Sequence, residues 1–249
     1  MRYLVLGPAA LGFYAILGYI TKIKDVLEEV EEISGTSSGA MLGFLLLSGK
    51  SPQQIFDLTI NLNTEELTKV DLKTFINSFG FINHELIKQK LVELWGGNPT
   101  FKELPKKLYV SAYCLNTLEV EYFSKDTHPD MYVIEAICAS ISIPIMFTPY
   151  EYKGKKYIDG GTTEELPVFP FLHKNFSDLM CVKIHQDQQH VKLDSMLDYF
   201  MCIATTSHKN RIKYQNAPTK KLNVTHINIL NLQGPLEDRL KLFAIGMGS

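Results

Sequence analysis

Ile33-Ser34-Gly35-Thr36-Ser37-Ser38-Gly39-Ala40 places a serine inside a Gly-x-Ser-x-Gly pentapeptide. Upstream, Val30-Glu31-Glu32-Ile33 alternates like a short strand. Downstream, Ala40 to Leu47 reads as a buried helix closed by Gly49. A strand-to-helix corner holds a serine on a sharp turn, and the flanking Gly35 and Gly39 let backbone and substrate approach it closely. The helix N-terminus adds partial positive charge and free N–H groups where an alkoxide would form. Small residues around an ordinary turn produce the same pentapeptide, so a nucleophile and a plain corner both remain open at this point.

Working outward, the chain has 249 residues, 45% hydrophobic and 21% charged, which suits one globular domain over residues 1–249. A net charge of -2 and the lack of a long basic run give no footing for nucleic acid. Cys114, Cys138, Cys181 and Cys202 are scattered without a Cys-x-x-Cys pair, as reduced core residues of an intracellular protein would be. The apolar run from Tyr3 to Ile20 is broken by Gly7, Pro8, Gly12 and Gly18 and followed by no small-residue cleavage site, so it reads as strand, turn and buried helix rather than a signal peptide. No other apolar stretch is long enough to span a bilayer. The expectation is a cytoplasmic protein, soluble or transiently membrane-associated.

The remaining pattern alternates. A first strand is expected at Arg2 to Leu6, a helix from Phe13 to Ile23, and a helix start at Ser51-Pro52-Gln53-Gln54. Asn61 to Asn98 reads as amphipathic helix, with Ile87, Leu91, Leu94 and Trp95 on one face. Strands follow at Lys107 to Tyr113 and Leu118 to Phe123, then a hairpin about Lys153-Gly154 ending at Tyr157-Ile158. Later strands are expected at Leu179 to Ile184 and Val224 to Ile229, with a helix between them within Ser195 to Lys213. This order predicts an α/β fold with a mostly parallel central sheet.

A serine hydroxyl needs a base within reach. Asp159, in Tyr157-Ile158-Asp159-Gly160-Gly161, ends a strand and is followed by two glycines that leave its carboxylate uncrowded, although Asp-Gly-Gly is also a common turn. Ahead of it stands Ala139-Ser140-Ile141-Ser142-Ile143-Pro144-Ile145-Met146-Phe147. With these three blocks in this order, the chain resembles the patatin-like phospholipases, a family of lipid acyl hydrolases. The likeness implies a three-layer α/β/α fold and a Ser-Asp dyad: Ser37 attacks an ester carbonyl and Asp159 takes its proton, through an acyl-enzyme. It implies no metal and no cofactor, a nucleophile elbow at Gly35 and Gly39, and a proton-acceptor loop at Gly160 and Gly161.

The resemblance also implies an oxyanion loop at Gly7, Ala9 and Ala10, and here the chain departs from the family's Gly-Gly-Gly-x-Arg/Lys-Gly. Pro8 lacks an N–H, Ala9 stands where a glycine is usual, and Leu11 replaces the basic residue. Losing one oxyanion donor commonly costs about a hundredfold or more in turnover. Thr163-Glu164-Glu165-Leu166-Pro167 departs too, lacking the usual asparagine before Leu-Pro. Two other readings therefore stand beside a working phospholipase A-type hydrolase. One is a weak or inactive descendant that binds lipid or a partner. The other is an α/β-hydrolase triad using His185, His190, His208 or His226, against which only a short segment precedes Ser37. A dinucleotide-binding fold lacks its fingerprint in this turn. Few basic side chains lie near the motifs, which favours a lipid ester over a charged metabolite, with Phe79-Gly80-Phe81-Ile82 as a lip at the water–lipid interface. The expected partner is thus a lipid substrate at a membrane surface. Head group and oligomeric state are not encoded in these motifs.

Overall fold

Tyr3–Leu6 is an unbroken apolar run, and it forms a strand, β1, whose two faces are both buried. The computed structural model describes residues 1–186, 199, 212–214, 216–225 and 227–249. After β1 come helix α1 (Phe13–Lys22), strand β2 (Glu32–Thr36) and helix α2 (Ser38–Leu46). Three short helices follow, α3 (Pro52–Thr59), α4 (Thr64–Leu67) and α5 (Leu72–Ser78), then β3 (Gly80–Ile82) and α6 (Glu85–Trp95). Strands β4 (Lys107–Cys114) and β5 (Glu119–Phe123) lead to α7 (Val133–Ser140), β6 (Ile145–Phe147), β7 (Tyr150–Tyr152) and β8 (Lys155–Asp159). The chain ends with β9 (Leu179–His185), β10 (Thr219–Asn223) and α8 (Leu236–Gly248).

The described strands form an eight-stranded sheet ordered β10-β9-β1-β2-β4-β8-β7, with β5 also on β4. From β10 to β4 every pairing is parallel, while β5, β8 and β7 join antiparallel. This is the α/β architecture with a mostly parallel sheet that the alternating pattern predicts. Side chains of β1 divide between two cores, as a pleat requires. Leu4 and Leu6 enter the large core beneath the helices, and Tyr3 and Val5 enter a smaller one with Leu166, Val168 and Phe171.

Three local expectations change. Strand β2 runs on to Thr36 instead of ending at Ile33, because β1 and β4 hold it on both edges. The segment 61–98 is not helical throughout: Gly80–Ile82 pairs in parallel with β6. A Cβ on Gly80 would lie 2.2 Å from the carbonyl carbon of Phe147, so only glycine lets these two backbones meet. The last strand lies at Thr219–Asn223 rather than Val224 to Ile229, since its Leu222 is the residue in register with Ile184 of β9. The helix expected within Ser195 to Lys213 falls mostly outside the described residues, as do Cys202, His190, His208 and His226.

Helix α8 has no counterpart in the sequence reading. It closes on α1 through glycines: a Cβ on Gly18 would meet the Phe243 carbonyl oxygen at 2.2 Å, and one on Gly246 the Ala15 oxygen at 2.0 Å. Two helix backbones in direct contact leave no room for any side chain at either crossing.

Candidate active site

The site is made by two strands that run into each other. Strand β2 pairs with β4 as far as Thr36 opposite Ser111. Strand β8 pairs with β4 from the other direction and reaches Asp159 opposite Ala112. The other edge of β4 is taken by β5, which faces both Val110 and Ala112. Hence β2 and β8 share one edge of β4, and Thr36 and Asp159 lie against successive residues of it. Neither strand can continue, so both chains turn out of the sheet at this point. Ser37 turns into α2, and Gly160 turns into a short 3-10 turn. The two residues singled out by the motifs, far apart in sequence, are thereby brought to one place.

Each turn depends on glycines. A Cβ at Gly35 would sit 2.6 Å from Ala40 Cα, one at Gly39 would sit 2.4 Å from the Leu6 carbonyl oxygen, and one at Gly160 would sit 2.8 Å from Ser111 Oγ. Ser37 itself has φ 55 and ψ -130, a conformation that a side-chain-bearing residue adopts only when its surroundings enforce it. Both Ser37 and Asp159 are buried, at 4% exposure each. The Asp159 carboxylate accepts the Gly161 N–H at 2.7 Å, which fixes its rotation.

Serines of the Ala139 to Phe147 block, part of the resemblance but given no role by the sequence, hold the pair in line. Ser140 Oγ accepts the Ser37 N–H at 2.7 Å and donates to the Ser111 carbonyl at 2.6 Å. The Ser142 carbonyl accepts the Asp159 N–H at 2.9 Å. Thr36 and Ser111 bond through their hydroxyls. The end of α7 therefore holds Ser37 through one residue and Asp159 through another two positions on. The Ala139-Ser140-Ile141-Ser142 block carried this signal, as two buried hydroxyls in an otherwise apolar run.

His84 extends the scaffold. Ser142 Oγ gives its proton to the Cys138 carbonyl at 2.7 Å, so the 2.9 Å contact with His84 Nε2 requires Nε2–H to donate. Burial, with Lys88 adding to it, pulls the His84 imidazole down from 6.5 to about 4. Below pH 6.5 the unfolded chain therefore binds a proton that the folded chain refuses. Stability is full above that pH and falls toward pH 4, by up to about 1.4 kcal/mol per pH unit from this group alone. Urea midpoints followed from pH 7 to pH 4 should show this slope, and His84→Asn should flatten it by one proton. An unchanged acid limb in the variant would remove His84 from the account.

The turn from Gly7 to Gly12 lies against the same corner. A Cβ on Gly161 would meet Pro8 Cβ at 2.8 Å, so Pro8 rests on the Asp159 turn. The Gly7 N–H is committed to the Val182 carbonyl at 3.0 Å. Among the described residues, neither Ala9 nor Ala10 gives its N–H to a backbone carbonyl. Ala10 adopts φ 46, the left-handed region that costs an alanine on the order of 1 kcal/mol. In α2 the Ser37 carbonyl takes the N–H of Ala40 and Met41, which leaves those of Ser38 and Gly39 as the orphan donors of the helix start.

Beside Ser37 opens a cavity of about 170 Å³. Ala10, Leu11, Tyr14, Met41, Leu45, Leu91, Ile143 and Phe147 are among its walls, so it is almost wholly apolar. An apolar cavity of about 150 Å³ accommodates a benzene-sized group, so this one takes a short stretch of hydrocarbon before something must move. Ser38 also lines it, and its buried hydroxyl has no hydrogen-bond partner among the described residues. The wall formed by Leu62 and Thr64 is pinned by buried Arg239 of α8, which donates to the carbonyls of Ile60, Leu62 and Gly234 and to Thr64 Oγ1.

The lip expected at Phe79 to Ile82 changes in extent. Gly80 and Ile82 are buried and Phe81 stacks on Phe75 at 4.3 Å, so only Phe79 projects into solvent. Glu164, in the segment that departs from the family, is buried beyond the Asp159 turn and receives the hydroxyls of Tyr122 and Tyr214. Burial raises its carboxyl above the usual range. His185 lies exposed at the end of β9. Among the described residues, no group of three His, Cys, Asp or Glu side chains gathers as a metal site would require.

Comparison with known proteins bears on this geometry. The "Probable lipid hydrolase 463L" of Invertebrate iridescent virus 6 is 29% identical over 180 residues, covering 67% of this chain and 62% of that protein. The "cGAMP-activated phospholipase" of Escherichia coli is 24% identical over 159 residues, 59% of this chain and 44% of that one. Among solved structures, VipD from Legionella pneumophila superposes with a TM-score of 0.66 at 15% identity, over 99% of this chain and 65% of its own. ExoU from Pseudomonas aeruginosa, in its complex with SpcU, gives 0.53 at 16% identity, over all of this chain and 52% of that chain. The chain thus spans less than two thirds of the length of each of these relatives. The structural likenesses show a shared fold. The sequence pattern of the family described as "Patatin-like phospholipase" matches residues 4–172, from β1 past the Asp159 turn and so through every block that builds this corner; the chain belongs to that family.

Proposed function

We propose that this protein hydrolyses carboxylic esters of lipids, in the manner of a phospholipase A, with Ser37 as nucleophile and Asp159 as base. The observation that carries the reading is the head-on meeting of β2 and β8 beside an apolar cavity that Ser37 lines. The names of the iridescent-virus and Escherichia coli relatives support a lipid ester as the substrate class. In this reading Ser37 Oγ bonds to the carbonyl carbon while Asp159 accepts its proton. The oxyanion is met by N–H groups of Ala9 and Ala10, with Ser38 and Gly39 at the dipolar start of α2. As the C–O bond breaks, Asp159 returns the proton to the leaving alcohol. A water then gives a proton to Asp159 and attacks the acyl carbon; as the bond to Ser37 Oγ breaks, Asp159 passes that proton to Oγ, freeing a fatty acid and regenerating both residues.

The rival reading, a non-catalytic lipid binder, draws on Pro8 and Gly7, since one has no N–H and the other has spent it. A fluorophosphonate probe separates the two. Covalent labelling of the parent but not of Ser37→Ala, with fatty acid released from mixed-lipid vesicles by the parent alone, is the expected result. Absence of labelling on vesicles and in detergent would favour the binder.

A further inference from the structure

We infer that the Ser38 hydroxyl is a further catalytic group, a side-chain donor to the oxyanion that stands in for the N–H Pro8 lacks; the inference rests on the lipid-hydrolase reading and completes its anion site. Ser38 is 7% exposed, and its Oγ has no hydrogen-bond partner among the described residues. A buried hydroxyl without a partner costs a fold stability, and native proteins keep few of them. Leaving Ser37 aside, every other hydroxyl that lines the cavity is engaged. Tyr14 donates to the Thr59 carbonyl at 2.8 Å, Thr59 to the Ile55 carbonyl at 2.8 Å and Thr68 to the Thr64 carbonyl at 2.6 Å, while Thr64 Oγ1 accepts from Arg239. The exception is the hydroxyl next to the nucleophile.

Its direction follows from its place on α2. Ser38 is the first residue of that helix, and Met41 and Leu45, three and seven positions on, line the cavity with it. That spacing sets all three on one face. Helix side chains lean toward the N-terminus, so the Ser38 hydroxyl leans back to the end where Ser37 turns and where the orphan N–H groups of Ser38 and Gly39 lie. The lining beyond is mostly hydrocarbon, and an unsubstituted acyl chain brings no acceptor to it. The acceptors that reach this end are the two ester oxygens. The alkoxy oxygen must face Asp159 to receive its proton. The carbonyl oxygen is left for Ser38, and it alone gains a full negative charge as Ser37 Oγ bonds to the carbon. An O–H···O⁻ bond is about twice as strong as a neutral one.

This chain has particular need of such a donor. Pro8 has no N–H and that of Gly7 is held by the Val182 carbonyl, which leaves the loop with Ala9 and Ala10. A hydroxyl can rotate to meet its acceptor, whereas a backbone N–H is fixed. Ser38 gives a hydrogen bond and keeps its proton, so no covalent bond to it forms or breaks in either half-reaction. The interaction grows with the charge on the oxygen, and it therefore favours the transition state over the bound ester.

The test compares the full chain with Ser38→Ala and Ser38→Cys on p-nitrophenyl butyrate, and against an alkyl trifluoromethyl ketone, which forms a hemiketal oxyanion on a nucleophilic serine. Ser38→Ala should lose about a hundredfold in kcat with little change in KM, and it should bind the ketone more weakly by the same factor. Its Tm should equal or exceed the parent's, because the change removes an unpaired buried hydroxyl and alanine is the better helix former. Ser38→Cys, a weak donor of similar size, should fall between the two in kcat. An unchanged kcat overturns the inference, as does a loss confined to KM, since the hydroxyl would then hold ester and transition state alike. A Tm of Ser38→Ala below the parent's also overturns it, because the hydroxyl would then have a structural partner. A parent that turns over no ester and takes no fluorophosphonate ends the hydrolase reading and this inference with it. An active parent matched by Ser38→Ala ends this inference alone.

Discussion

Asp159→Asn lowers kcat/KM on a lipid ester by about three to four orders of magnitude while leaving Tm within a few degrees of the parent. The two halves of this expectation have separate physical origins. Asparagine keeps the shape of the side chain and an oxygen that accepts the Gly161 N–H, so the 3-10 turn after β8 retains its anchor. The Asp159 N–H still reaches the Ser142 carbonyl, because that bond is made by the backbone. What disappears is the negative charge and, with it, the capacity to take and return a proton. Ser37 then attacks without a base, and the acyl-enzyme, once formed, waits for an unassisted water. Both half-reactions slow, so the fluorophosphonate labelling rate should fall along with turnover. A variant that labels as fast as the parent would mean that another group deprotonates Ser37. A large drop in Tm would mean that the carboxylate is chiefly structural. Double replacement with Ser37→Ala should cost little more than either change alone, as in any unit whose members act together.

The parts of this site differ in how far local sequence specifies them. The corner at Ser37 is readable because Gly35 answers to Ala40 across a tight turn, although Gly39 answers to Leu6 on another strand. Asp159 is readable as a strand end because two glycines follow it, although the atoms that require them, in Ser111 and Pro8, lie far along the chain. Their meeting is not, because it depends on β8 entering antiparallel at the very step where β2 leaves the edge of β4. No periodicity in either segment carries that register, and only the order of the family's motifs points to it. The short strand β3 hides between helical patterns because three residues hold no period of their own. Its state is set by β6, a partner far along the chain, which overrides local preference. The serine and histidine support is hidden in another way. Ser140 and Ser142 stand in an apolar helix end as ordinary small residues until the fold shows which backbone groups they satisfy. Ala10 goes against local preference altogether, taking a left-handed conformation that favours glycine. Rules of local conformation fail most often at functional turns, where the rest of the fold enforces strain. Phe79, at the end of α5, likewise takes a left-handed conformation that its residue type does not announce.

Gly39→Ala should disable the enzyme by geometry alone, with Ser37 and Asp159 both intact. The added Cβ would lie 2.4 Å from the Leu6 carbonyl oxygen and 2.5 Å from that of Gly7, and both are backbone atoms at the end of a buried strand. Neither can rotate away, so the start of α2 must retreat from β1 by nearly an ångström. Helix propensity pulls the other way, since alanine exceeds glycine by about 1 kcal/mol inside a helix, and this is too small to offset backbone overlap. A net loss of about 2–3 kcal/mol corresponds to roughly 4–12 °C in Tm for a chain of this size. The retreat carries Ser37 and the orphan N–H groups of Ser38 and Gly39 with it. A misplacement on that scale costs about a hundredfold in rate even where the protein still folds. Gly43→Ala, one turn further along α2, is the control. Its nearest neighbours would be side-chain methyl groups, Ile33 Cγ2 at 3.0 Å, Leu108 Cδ1 at 3.2 Å and Leu6 Cδ1 at 3.9 Å, which need give by only a few tenths of an ångström. It should keep most of its activity and lose less stability. If Gly39→Ala behaved like Gly43→Ala in both assays, the close approach of α2 to the end of β1 would have no part in positioning Ser37.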